Sequence, residues 1–523
     1  MHLSLLDIVV MILYATFVLV VAQFVTPKKT DRSKGGTERA PEKPSLPWWA
    51  IGTSLIAANI SAEQIIGMSG SAYVLGLAIA SYEWTAAAVL LIVGKYFLPI
   101  FLKNQIYTMP EFLRRRYGPR IQLVMALFWL ILYVFVNLTA ILWLGATAVH
   151  TVTGLTVWPS LILLGLFAGN YALYVGVKAV AFTDVVQVCM LVLGGLVVAF
   201  ISLEKISGGS GFTGLIGGLH ILATRLPGHF HLILGPESPY YRYVPGISVL
   251  IGGMWIVHLS YWGFNQYIIQ RALTAKSVRD AQKGVALAAF LKLLIPVLVV
   301  LPGIAAVILS GHMARADEAY PRLMTLLPGG LLGLVFVALI AAIIASMGST
   351  LNSVTTIFTN DVLKSIRKNT SDREAMIAGR FAAIAALVLA VVTAKPLLGH
   401  VDQAFQYIQD YTGFFSPGIV VIFLLGMFWK RTTETAALVA AAGSVALSLI
   451  CRLYFPEVAF LNRMALVFLI CLALAVVVTM MQKRKPQSST IDISNIDYST
   501  SASFNIASLV VLSVLVAFYA IWW

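Results

Sequence analysis

AANISAEQIIGMSGS, residues 57–71, sets Asn59, Glu63 and Gln64 inside an apolar run, with Gly67 and Gly70 just behind them. Polar and ionisable side chains at membrane depth are costly unless they face a cavity, so they mark a transport pathway. A second such stretch, GGMWIVHLSYWGFNQ at 252–266, follows five hydrophobic segments later. Two halves of five helices, each opening with a broken helix, would give this spacing, and that is the build of a secondary transporter.

Composition excludes most other classes. Apolar residues make up 59% of the chain and charged ones 11%, which places the protein in lipid rather than in water. The formal charge of +14 is spread over short loops and does not gather into a nucleic-acid-binding face. Cys189, Cys451 and Cys471 are odd in number and lie in apolar segments, which gives no disulfide framework. The first apolar stretch, 3–24, lacks a basic leader and a small-residue cleavage site, so it is expected to stay as a helix.

Windows of about twenty residues predict an all-α integral membrane protein of about fourteen spans, near 5–25, 47–73, 77–102, 122–152, 157–176, 180–204, 246–270, 284–311, 328–359, 378–399, 403–429, 434–454, 464–482 and 503–523. Lys and Arg concentrate in alternate loops, for instance Lys28 to Lys43, Arg114 to Arg120, Arg271 to Lys283 and Lys364 to Arg380. By the positive-inside rule these loops are cytoplasmic and both termini external. The 205–245 loop is then outside, and no Asn-x-Ser/Thr sequon falls in an outer loop, as suits a bacterial inner membrane. The chain divides into a leading helix with its basic loop (1–45), a ten-helix core (46–430) and a three-helix tail (431–523). The polar segment 483–502 reads as a flexible cytoplasmic linker.

ANISAEQIIGMSGS, ASYEWTAA, YTMPEFLRRRYG, TDVVQV at 183–188, YWGFNQYIIQRALTAKSVRDAQKG, FLKLLIPVLVVLPGIAA and AFQYIQDYTGFFSPGI together resemble the solute:sodium symporter family, in its sodium/glucose cotransporter type and bacterial sodium/galactose branch. The resemblance runs from about residue 5 to the end. It implies a leucine-transporter-like core of two inverted five-helix repeats, alternating access, and uphill import of a small solute with sodium as the coupling ion.

Residue by residue, the resemblance assigns sugar-binding polar roles to Gln64, Glu83, Lys292 and Gln409. It makes Tyr261 the inner aromatic gate and Met68, Tyr82 and Phe405 the outer apolar cover. A pyranose suits such a set, because its hydroxyl rim needs directional donors and acceptors while its CH face sits on aromatic rings. Glu83 and Lys292 can also pair with each other when the site is empty. Taken alone, Gln64 and Gln409 are equally readable as glutamines bonding a neighbouring helix, and Glu63 as a structural hydrogen-bonding group.

Two positions depart from the family pattern. His258 stands where the sugar-transporting branch has asparagine, and it can donate to or accept from a hydroxyl at the cost of greater bulk. At the sodium site the backbone positions fall on Ala57, Ile60 and Ala342, but the expected serine pair reads Ala345–Ser346, which removes one hydroxyl ligand and predicts weaker sodium binding. Asp184 matches a carboxylate near the sodium exit path, or is a helix-end residue. The expected function is sodium-coupled import of a neutral galactose- or glucose-like hexose. The alternatives are a carrier with weakened or proton coupling, a family member for another small solute, and a sensor or channel. No nucleophile–base pair, phosphate loop or metal-ligand spacing suggests an enzyme. The expected partners are sugar, sodium and the lipid bilayer, without nucleic acid, and a homodimer is left open.

Overall fold

The computed structural model describes residues 3–25, 46–106, 108–174, 177–367, 369–482 and 491–523, except for the side chains of 18–25, 173–174, 177–185 and 372. Those residues are almost entirely helical. Nine helical runs among them are long and apolar enough to cross a membrane, or ten if the pair Ala404–Thr412 and Ser416–Phe428, bent by 47°, is one span. That is fewer than the fourteen expected: Leu5–Phe17 and Val157–Ala172 are shorter apolar helices among the described residues, and the two polar stretches interrupt theirs.

The first interruption follows Trp48–Asn59. Ile60 leaves the helix with φ −72° and ψ 101°, and the chain resumes as a wide π-type turn, Glu63–Met68, before Ser69–Leu75. The second runs Gly253–His258, then the wide turn Leu259–Gly263, then Gln266–Leu273 beyond a break at Phe264 and Asn265. A π turn carries one extra residue per turn, so it shifts the side chains that follow it and leaves backbone groups for other partners. Such turns cluster at functional sites.

One long helix, Val278–Leu309, crosses both halves of the first broken helix. Two glycines permit the approach. A Cβ on Gly284 would meet Ile51 and the Trp48 carbonyl oxygen at 2.7–2.9 Å, and one on Gly303 would run into the Ser69 backbone and the Ala72 side chain. Lys292 sits between these two docking points, opposite the break.

Two sequence expectations need correction. The 205–245 loop contains a 15-residue helix, Gly211–Arg225, packed on Val177–Ser207. Its buried residues, Gly214, Gly218 and Leu222, recur every four positions. Glycines dense enough to suggest a loop are instead the small face of a tightly packed helix.

The second correction concerns the linker, of which 483–490 lies outside the described residues. From 491 onward it is fastened to the core. Asn104 Nδ2 donates to the Asp492 carbonyl at 2.8 Å while the Asp492 N–H donates to Asn104 Oδ1 at 2.7 Å. Lys103 Nζ reaches Asp492 Oδ2 at 2.8 Å and the Ser494 carbonyl at 2.7 Å, and Ile491 is buried. The side-chain bond from Lys103, then those from Ser494, hold the Asp492 carboxyl well below the usual carboxylate range. A depressed carboxylate contributes above its unfolded pKa and loses that contribution only as pH falls through the folded value. The strap should therefore keep its amide protection down to pH 5 in hydrogen-exchange measurements, and Asn104→Ala should remove that protection at neutral pH.

Candidate functional site

The two broken helices, Ser81–Ile92, Val278–Leu309 and Ala404–Thr412 line a common central cavity. Every polar and gate residue singled out for the solute lines it: Gln64, Glu83, His258, Lys292 and Gln409, with Met68, Tyr82, Tyr261 and Phe405. Periodicity explains the convergence. On the last helix Phe405, Ile408, Gln409 and Thr412 follow the i, i+3, i+4, i+7 pattern of one face, and all four line the cavity.

Lys292 organises the floor. Its ammonium donates to Glu83 Oε2 at 2.5 Å and to Asn59 Oδ1, and it lies 5.0 Å from the centroid of the Trp262 ring. Both ions are almost fully buried, with side-chain exposures of 1% and 3%, and the pair makes that burial tolerable. Asn59 passes the network on: its Nδ2 donates to the Tyr261 hydroxyl at 3.3 Å, and Tyr261 and Tyr267 share a hydroxyl bond of 2.5 Å.

The opposite wall is apolar. Tyr82 and Phe405 meet edge to face at 5.1 Å, and both are buried with Met68. Tyr82 also faces the imidazole of His258 edge-on at 6.2 Å. Two buried polar atoms here have no partner, His258 Nε2 and the Tyr82 hydroxyl oxygen. Buried polar groups are rarely left so, and both residues line the cavity.

A second, smaller cavity is lined by Ala57, Ile60, Ala342, Ala345 and Ser346 together with Ser61, Glu63, Ser349 and Thr350. The set expected for sodium is thus gathered in one place, including the alanine that departs from the pattern. Its side-chain oxygens are serine and threonine hydroxyls and one carboxylate, beside the amides of Asn137 and Gln187 and the Arg271 guanidinium, which donates to Ser54 Oγ and the Tyr267 carbonyl. That chemistry suits a hard monovalent cation, which prefers oxygen ligands. Thr350 Oγ1 donates to the Ser346 carbonyl at 2.9 Å, which leaves its lone pairs free to face the cavity. Asp184 lies on Val177–Ser207, one turn before Gln187, which lines this cavity; its side chain is outside the described residues.

Glu63 and Asn137 line both cavities, and Asn137 Nδ2 donates to Glu63 Oε1 at 3.4 Å. The sequence left several members of this site without a role. Asn59 stands in the opening motif as one of the polar residues that mark the pathway, with no partner assigned to it. Asn137 and Tyr133 lie four apart in LYVFVNL, and Tyr133 donates to Asn265 Oδ1 at 2.7 Å.

The chain is similar to known proteins along its whole length. A profile described as "Sodium:solute symporter family" matches residues 43–443. A sodium/glucose cotransporter of Vibrio parahaemolyticus is 45% identical over 100% of this chain and 99% of its own. A sodium/myo-inositol cotransporter 2 of Mus musculus is 33% identical over 82% of this chain and 67% of its own. Among solved structures, a Na+-coupled sialic acid symporter in a substrate-bound, outward-open state superposes with a TM-score of 0.76 at 20% identity, covering 93% of this chain and 99% of the other.

The buried pair generates a prediction. Glu83→Gln leaves a buried ammonium without its counter-ion and should lower stability in detergent by about 3–5 kcal/mol. Glu83→Gln combined with Lys292→Met should recover most of that loss. Thermal unfolding of the two variants beside the parent checks it; equal melting of both would mean that the pair is not what holds this floor.

Proposed function

The chain belongs to the sodium:solute symporter family, and from that premise we propose that it imports a neutral, polyhydroxylated solute of hexose size across a bacterial inner membrane by alternating access. It is a sodium-coupled solute symporter, a transporter rather than an enzyme, and sodium is its coupling ion. We read residues 46–430 as a ten-helix core of two inverted repeats, flanked by 1–45 and 431–523, in a chain of fourteen crossings with both ends outside.

The observation that carries the solute class is the state of the polar groups in the central cavity. Glu83 neutralises Lys292, and the third ionisable residue on its wall, Glu63, accepts from Asn137 and also lines the second cavity, so no free cation waits for an anionic substrate. What stays open is neutral: the unpartnered His258 Nε2 and Tyr82 hydroxyl, beside Gln64 and Gln409. Hydroxyls satisfy such groups as donors and acceptors alike, and the Tyr82–Phe405 wall suits a CH face. The relatives named for glucose and myo-inositol cotransport support the same class. His258 is the residue we assign to choosing among such solutes.

One sodium moving through roughly 100 mV contributes about 2.3 kcal/mol, and a tenfold gradient adds about 1.4 kcal/mol. Together they sustain roughly 500-fold accumulation of a neutral solute. A carrier that has lost coupling through Ala345 would only equilibrate it.

Uptake of radiolabelled galactose and glucose into proteoliposomes, with sodium or potassium outside and pH matched, tests the proposal. Accumulation above equilibrium in sodium alone is expected. Equal uptake in both salts, stopping at equilibrium, would make the protein a uniporter; no uptake of either sugar would point to another solute. Gln409→Ala, which breaks no ion pair, should reduce uptake about fivefold, the worth of one hydrogen bond. Restoring the missing hydroxyl with Ala345→Ser should lower the sodium concentration for half-maximal uptake by a similar factor of about five.

A further inference from the structure

At the end of the bundle opposite the loops rich in Lys and Arg, the short turn Ala316–Glu318 is stitched to the segment that leads into the helix Ala404–Thr412. Three bonds run in both directions. Arg315 Nη2 donates to the Gly399 carbonyl at 2.7 Å, the Ala316 N–H to Asp402 Oδ1 at 2.9 Å, and the Ala404 N–H to Asp317 Oδ2 at 2.9 Å. Ala404 opens the helix and Phe405, half of the Tyr82–Phe405 wall, follows it. Asp317 thus holds the N-terminus from which Phe405 and Gln409 hang.

The Asp317 carboxyl is fully buried. Its Oδ1 has no partner and packs on Gly70 of the first broken helix, where a Cβ would meet that oxygen and the Ala316 carbonyl at 2.8 Å. A carboxylate accepts several bonds, and one taken out of water with a single donor is far less favourable than the neutral acid. The helix end favours negative charge, but that effect is small beside the loss of water. Nor do the charges that face it reverse the balance. Asp402 and Glu318 oppose ionisation and Arg315 favours it, yet Arg315 lies on the Trp143 ring, 4.8 Å from its centroid, and Glu318 is paired with Arg322 at 2.7 Å. The other segments packed here bring groups with partners of their own: Tyr73 donates to the Gly311 carbonyl, His150 bonds the Leu155 carbonyl, Glu63 accepts from Asn137, and Asp410 holds Arg452. Burial, the largest of these influences, pushes the Asp317 pKa well above the usual carboxylate range.

We propose that Asp317 is a positioning residue of the outer gate: with its proton on, it fastens the N-terminus of the helix that carries Phe405 and Gln409, and it gives that proton to outside water as this end of the helix lifts. The inference rests on the transport reading above, in which this end of the bundle faces outside. A group protonated in the closed form and ionised in the open one makes opening rise with pH, by up to roughly tenfold per unit between the ordinary carboxylate pKa and the raised one, and lets acid hold the gate shut.

Hydrogen exchange of residues 402–412, in the full-length protein in lipid nanodiscs at pH 5, 6 and 7 and corrected for intrinsic rate, tests the latch. Initial uptake of radiolabelled galactose and glucose into sodium-driven proteoliposomes, with the inside held at pH 7 and the outside varied over the same range, tests what the latch does. In the parent, protection should fall about tenfold from pH 5 to pH 7, and uptake should rise. Asp317→Asn keeps an acceptor for the Ala404 N–H and cannot ionise; it should stay protected throughout and take up sugar at the parent's pH 5 rate. The exposed His312 and His400 titrate in this range and remain in that variant, which makes it their control. Asp402→Asn, an independent variant, removes a facing negative charge and should move the transition to lower pH. Protection that is indifferent to pH in the parent, or that falls equally in Asp317→Asn, would overturn the latch, and uptake indifferent to outside pH would overturn its role at the gate. The expected protection changes in a protein that takes up neither sugar at any pH would uphold the latch and strike the solute class assigned above.

Discussion

An ammonium group at membrane depth is the constraint around which this molecule is built. Lys292 can stay charged there only with a counter-ion and further acceptors around it. Glu83, Asn59 and the Trp262 ring supply them from three different segments. Asn59 reaches Lys292 because its helix ends at that point, and Trp262 does so from within the second wide turn. The interruptions that make both helices poor membrane spans are thus what bring partners to the charge.

The same network joins the two cavities. From Lys292 it runs through Asn59 and Tyr261 to Tyr267, which lines the second cavity, while Glu63 and Asn137 line both. Were sodium to bind beside Ala57 and Ile60, as proposed, it would change the field on a carboxylate that also faces the central cavity. Coupling between ion and solute needs a linkage of this kind, in which each ligand alters an element that the other touches.

The sequence was a good guide to what lies along a helix and a poor one to what lies between helices. Apolar run length pointed to an all-helical membrane protein, and polar residues inside those runs to the broken segments, because lipid imposes those patterns on any chain. The resemblance pointed to Gln64, Glu83, Lys292 and Gln409, and the structure brings them into one cavity. It could not reveal that Asn59 bridges Lys292 and Tyr261, since that depends on where a helix stops to within one residue. Nor could composition distinguish the glycine face of Gly211–Arg225 from a loop, or foresee that a polar strap at 491–501 would dock on Lys103 and Asn104. Both depend on close approach between surfaces distant in sequence.

The glycines at 284 and 303 carry a further consequence. A side chain at either would push Val278–Leu309 away from the broken helix, so both close contacts hold Lys292 opposite the break, where Asn59 reaches it. The second cavity instead separates Ala57 and Ile60 on one bank from Ala342, Ala345 and Ser346 on the other. A sodium ion there would act as a removable rivet between the two banks, and residue 345 is where one of its heads would be held.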